Sequence, residues 1–113
     1  PHSLKLNNKL LCVSLRDPSQ IFVFESFNII HKKIFPDHFD IMSAYPLNSR
    51  YLIIVSLNKG LYLYDIKDES IIIITNNIPR PTACVPLEND LFVSSEYGSS
   101  IYKVLSWKNL LNK

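Results

Sequence analysis

The stretch "YLIIVSLNKGLYLYD", residues 51–65, decides the fold of this chain. An apolar run leads into the turn Leu57-Asn58-Lys59-Gly60, and a second apolar run closes on Tyr64-Asp65. Two strand-like runs joined by a short glycine-containing turn read as a β-hairpin. What matters next is whether the hairpin stands alone or recurs.

It recurs. Residues 44–65, "AYPLNSRYLIIVSLNKGLYLYD", align with residues 84–104, "CVPLENDLFVSSEYGSSIYKV". Both carry Pro-Leu, at Pro46-Leu47 and Pro86-Leu87, and both continue through a polar turn into an apolar strand. Aligned on Val-Ser, the strands end at Val55-Ser56 and Val93-Ser94, with Gly60 and Gly98 five residues after each valine. Those are the chain's 2 glycines. A weaker copy, "LKLNNKLLCVSLRDPSQIFVFE", occupies residues 4–25, and Leu6, Leu47 and Leu87 fall 41 and 40 residues apart.

Each copy reads as strand, turn, strand, hairpin, strand, and residues 28–35 and 70–75 supply a fourth strand. The run "IIIIT" (71–75) looks helix-compatible, but consecutive β-branched residues lose rotamer freedom in a helix and pack well in a sheet. The tail "LSWKNLLNK" (105–113) fits either a fourth strand or a short terminal helix.

Four antiparallel strands repeating every ~40 residues are the signature of a β-propeller blade. A sandwich of the same strands would not need its units to resemble one another. The expected fold is therefore all-β: three consecutive four-stranded blades at about 2–35, 41–75 and 82–113, forming a partial β-propeller over residues 1–113. Propellers close with roughly four to eight blades, so three form an incomplete fragment of a larger ring. The rest of the ring is expected from the parent chain or from other chains. A first residue of Pro1 rather than Met agrees with a piece of something longer.

Composition narrows the function. The 113 residues are 47% hydrophobic, enough for one small core. Twelve basic residues face ten acidic ones for a net charge of +2, and they are scattered; Lys32-Lys33 is the one adjacent basic pair. Direct nucleic-acid binding, which favours a basic stripe, is unsupported. Cys12 and Cys84 sit in apolar runs and read as buried free thiols of a reducing, intracellular compartment. No apolar run approaches the ~20 residues of a membrane span.

Catalytic groups do not converge. His2, His31 and His38 are separate, and His38 lies between Asp37 and Asp40 in "FPDHFD", a pattern that reads as a polar inter-blade loop. No Gly-x-Ser-x-Gly elbow and no glycine-rich phosphate loop occurs. A non-enzymatic chain with no cofactor and no metal is expected. What blades present is loops, at Arg16-Asp17-Pro18, Asn58-Lys59-Gly60, Glu96-Tyr97-Gly98, 35–40 and 76–81. The candidate partner-binding residues are Arg16, Lys59, Arg80, Glu96 and Tyr97, with Tyr97 and Arg80 of the types that most often anchor interfaces.

The repeats are WD40-like in a generic way. Tyr64-Asp65, Phe24-Glu25 and Lys103-Val104 stand where a Trp-Asp pair closes the third strand, and the opening Gly-His is missing. Residues 91–102, "LFVSSEYGSSIY", resemble the "leu-phe-val-gly-ser-x-x-gly-asp-ser-x-leu" segment of a family of triple-propeller scaffolds. That family includes the large subunits of the damaged-DNA-binding complex and of the cleavage-and-polyadenylation specificity factor, and the corresponding splicing factor three-b subunit. The preceding residues 50–66 resemble the blade before that segment. Ser94 replaces the family's glycine and Ser99 its aspartate, so a contact made by that acid does not carry over. The resemblance implies a nuclear, non-enzymatic scaffold within a multi-subunit complex, either a cullin-type ubiquitin-ligase adaptor linked to DNA repair or an RNA-processing subunit. Residues 60–65 also resemble the "gly-leu-tyr-val-leu-asp" hairpin of citron-homology propellers, which would imply a signalling or trafficking regulator binding a small GTPase or a tether.

Overall fold

The computed structural model describes residues 3–16, 18–97 and 101–112, apart from the side chains at 37 and 112. His2, Asp17, Gly98 and Ser99, which the sequence singled out, lie outside them. Eleven strands form three antiparallel sheets. The first contains β1 (Ser3–Asn7), β2 (Leu10–Leu15), β3 (Gln20–Glu25) and β4 (Asn28–Ile34), paired in chain order. The second contains β5 (Ile41–Pro46), β6 (Tyr51–Ser56), β7 (Gly60–Asp65) and β8 (Ser70–Thr75). The third contains β9 (Pro81–Leu87), β10 (Asp90–Ser95) and β11 (Ile101–Val104).

The isoleucine run is strand β8. After β11, Trp107–Asn112 is a 3-10 helix, so the helical option for the tail is the one taken among the described residues. Burial explains it: the Trp107 ring is sunk into the core between the second and third sheets, with Leu110 and Leu111 packed beside it.

The first strands lie together at one edge. Asn7 Nδ2 donates to the Pro46 carbonyl at 2.9 Å, and Ser43 Oγ on β5 donates to the Thr82 carbonyl on β9 at 3.0 Å. The fourth strands, β4 and β8, are the outer edges of their sheets. Each sheet is thus a blade running from an inner to an outer edge.

The sheets stack face to face through two cores. Cys12, Ile21 and Val23 of the first sheet meet Ala44, Leu52, Ile54 and Tyr64 of the second, with Phe35 from the connector between them. The other face of the second sheet presents Ile53, Val55, Leu61 and Leu63 to Cys84, Leu91 and Val93 of the third. A strand covered on both faces reads as a continuous apolar run, whereas one covered on a single face alternates. Accordingly β6 and β7 are buried along nearly their whole length, while β2 and β10 alternate.

Two faces remain uncovered among the described residues. On the first sheet Leu4, Leu6, Leu11, Val13, Phe22 and Phe24 share the side facing away from the second, and Leu6 is 68% exposed. On the third sheet Val85, Phe92 and Ile101 share the corresponding outward side. The register makes these faces equivalent to the two buried faces of the middle sheet: Leu11 and Phe24 oppose each other as Leu52 and Tyr64 do.

Candidate protein-interaction face

Strand direction sends the second-to-third-strand turns and the inter-sheet connectors to the same end of the stack. Residue 16 and Pro18–Ser19, residues 57–59 and residues 96–97 are such turns; residues 35–40 and 76–80 are the connectors. A repeated set of hydrogen bonds ties each connector to a turn. The Leu57 N–H donates to the Asp40 carbonyl at 3.0 Å, and the Glu96 N–H to the Arg80 carbonyl at 2.9 Å. One residue earlier, Ser56 Oγ donates to the Phe39 carbonyl and Ser95 Oγ to the Pro79 carbonyl at 2.6 Å. Each serine hydroxyl also accepts a turn amide, from Lys59 at 3.2 Å and from Tyr97 at 3.2 Å. Ser56 and Ser95 pair with Ile41 and Pro81 across matching one-residue bulges.

The repeat register is thereby corrected. Aligning the copies on Val-Ser sets Ser94 against Ser56, but strand pairing and the connector bonds set Ser95 there. The turn after Pro86 is one residue shorter than the turn after Pro46, with Leu91 facing Pro86 as Leu52 faces Pro46. Inward burial decides the register: Val93 fills the position of Ile54 and faces the preceding sheet.

Asp40 and Arg80 occupy equivalent positions, each the last connector residue, with φ of +44° and +42°. Left-handed backbone is costly for a side chain with a Cβ, so it persists where surrounding bonds over-determine it. Here both carbonyls are held by a turn amide and both side chains by an ion pair. Arg16 Nε reaches Asp40 Oδ1 at 3.1 Å, and Arg80 Nε reaches Glu96 Oε1 at 2.7 Å.

The five candidate residues all lie at this end. Arg80 and Glu96 come together as that ion pair; Arg16 is turned to Asp40 and not to the other four. Lys59 and Arg80 border one open cleft of about 460 Å³, whose wall includes Asn58, Asn76, Ile78 and Pro79. Lys59 makes no ion pair among the described residues, and the Tyr97 side chain is 70% exposed. The face therefore offers a polar cleft bordered by Lys59 and by Arg80 of a half-exposed Arg–Glu pair, and an exposed aromatic ring at the same end. Sequence reasoning missed Asp40 as the partner of Arg16, and Ser56 and Ser95 as the locks of the face. The "FPDHFD" loop uses Asp40 in this way, while the His38 ring lies against Phe39 at 5.4 Å between centroids.

At the opposite end, the closing acid of the second repeat has a structural partner. Arg50 grips Asp65 with Nε–Oδ1 at 3.1 Å and Nη2–Oδ2 at 2.8 Å, and Asp65 Oδ1 also accepts the Lys67 amide at 3.0 Å. The Arg50 guanidinium and the turn amides hold the Asp65 carboxyl below the usual carboxylate range.

These features define a class: the chain is a run of stacked blades with the fold of a β-propeller. Among solved structures it is similar to the N-terminal domain of Nup159, a β-propeller, with a TM-score of 0.59 over 93% of this chain at 13% sequence identity. The chain spans 34% of the length of that domain. No family model matches the chain, and no curated protein matches it. Among the described residues no helix is long and apolar enough to cross a membrane.

Proposed function

We propose that the chain is a non-enzymatic interaction scaffold, presenting its turn-and-connector end to protein partners inside a multi-subunit complex. The observation that carries this reading is the cleft that Lys59 and Arg80 border, with Arg80 paired to Glu96, on loops pinned by Ser56 and Ser95. Aromatic and arginine side chains on a rigid frame are the usual anchors of protein interfaces. Further blades, from the parent chain or from other chains, cover the two free apolar faces, which match the buried faces of the middle sheet. The residues implicated require no cofactor.

The finer reading rests on the resemblance of residues 50–104 to the triple-propeller scaffolds. It makes the parent protein a nuclear adaptor of a cullin-type ubiquitin ligase. Purification of the parent protein from its own cells, with identification of the co-purifying proteins by mass spectrometry, tests it. A cullin with its RING partner is expected, with recovery reduced by Tyr97→Ala and Arg80→Ala. Polyadenylation or splicing subunits in their place would move the function to RNA processing, and small GTPases or membrane tethers to a citron-homology regulator. Unchanged recovery of every partner with the two substitutions would remove this face from the account.

A further inference from the structure

We infer that β8 is a docking edge for a second copy of this chain, two β8 strands pairing antiparallel across a two-fold axis. An outer strand carries a row of unpaired backbone N–H and C=O groups, and proteins blunt such edges with lysines, prolines or bulges. Strand β4 shows that protection. It contains His31, Lys32 and Lys33, and its bulge falls in mid-strand, beside Ile30. Strand β8 lacks it. Its sequence is Ser-Ile-Ile-Ile-Ile-Thr with no charge, and its bulge sits at its far end, leaving residues 70–73 in regular register with β7. Ile71, Ile72 and Ile73 are 37%, 46% and 46% exposed, on both sides of the strand.

The segment is complementary to itself. In antiparallel pairing about a two-fold axis at Ile72, Ile72 opposes its own counterpart, Ile71 opposes Ile73 of the other copy, and Ser70 opposes Ile74. The acidic residues before the strand, Asp68 and Glu69, then fall opposite Asn76 and Thr75 of the other copy. Glu69 is in addition neutralised within its own chain by Lys33 at 3.0 Å. Parallel in-register pairing would set Asp68 and Glu69 against their own counterparts. Cross-strand pairs of β-branched side chains stabilise a ladder, and like charges opposite one another weaken it. A two-fold pair uses one edge from each copy and closes, so the assembly stops at a dimer.

Sedimentation of the 113-residue chain over a range of concentrations tests this, with Ile73→Lys on β8 and Leu6→Lys on the free face of the first sheet. Both positions are exposed, so both lysines reach water. The expected result is a monomer–dimer equilibrium whose dissociation constant rises at least about tenfold with Ile73→Lys. Hydrogen exchange on the unsubstituted chain gives an independent reading, with amides in 70–75 expected to slow as concentration rises. A chain monomeric at every concentration overturns the inference. So does association that Ile73→Lys leaves unchanged, including association that only Leu6→Lys weakens, which would place the contact on the blade face.

Discussion

Gly60 is where one residue decides most. It opens β7 with φ of +107°, and a Cβ there would overlap the Thr75 carbonyl oxygen and lie 2.9 Å from the Asn76 Cα. Both atoms are backbone, so neither yields as a flexible side chain does. Gly60→Ala is expected to cost on the order of 2–3 kcal/mol, combining a disfavoured φ with displacement of the end of β8. Urea unfolding measures it, and a loss indistinguishable from zero would contradict the geometry. The two cysteines carry a chemical expectation. Burial pushes the thiols of Cys12 and Cys84 up to about 12, and neither is paired with the other. The thiolate is the reactive form, so alkylating reagents near pH 8 should leave both untouched in the folded chain and modify both in denaturant. Rapid labelling of either in the folded chain would contradict this. At this scale the sequence was legible where chemistry is local: the glycine marks a turn, and cysteines in apolar runs mark a core.

Between elements, legibility depends on what sets the register. The strands of the first two sheets could be read from their apolar runs, because β-branched side chains favour them. The serine lock could not. Two adjacent serines, Ser94 and Ser95, offer the same chemistry, and the tie is broken by a turn one residue shorter on the other side of the strand. The tail was ambiguous for a similar reason: the Trp107 ring is buried by another sheet, which no local pattern encodes. Contacts between sheets also set a pH dependence. His31 Nε2 on β4 lies 2.8 Å from the Tyr64 hydroxyl on β7, joining the first sheet to the second. Burial lowers the His31 pKa below its ordinary 6.5; Glu69 opposes that shift and Lys33 adds to it. A base with a lowered folded pKa binds more protons unfolded. Its contribution is therefore complete above pH 6.5 and is lost as pH falls from there through the lowered value. Melting curves between pH 8 and pH 5 (roughly the window in which histidine titrates) should show a larger loss for the unsubstituted chain than for His31→Asn. Equal losses would assign the acid sensitivity elsewhere.

Across the whole molecule, stacking organises everything else. Among the described residues the middle sheet is covered on both faces and the outer two on one, and the loops at one end are fixed by bonds between connectors and turns. The 40-residue repeat made this legible, since units that resemble one another and cannot bury both faces alone must stack. The composition of the proposed interaction face was legible only as positions. Arg16, Lys59, Arg80, Glu96 and Tyr97 do gather at one end, but which of them pair depends on connector geometry: Arg16 with Asp40, Arg80 with Glu96. That leaves Lys59 and Tyr97 as the most available contacts, which ranks the substitutions worth making first.

The account's central claim is a run of three stacked blades with a doubly covered middle and two open ends. Residue-resolved native-state hydrogen exchange tests it most directly, because exchange protection follows local opening and the packing that resists it. The account predicts the slowest amides in β6 and β7, intermediate ones in β2, β3, β9 and β10, and the fastest in the turns at 26–27 and 88–89. Equal protection of all three sheets, or a middle sheet that exchanges as fast as the outer two, would contradict the stacked arrangement.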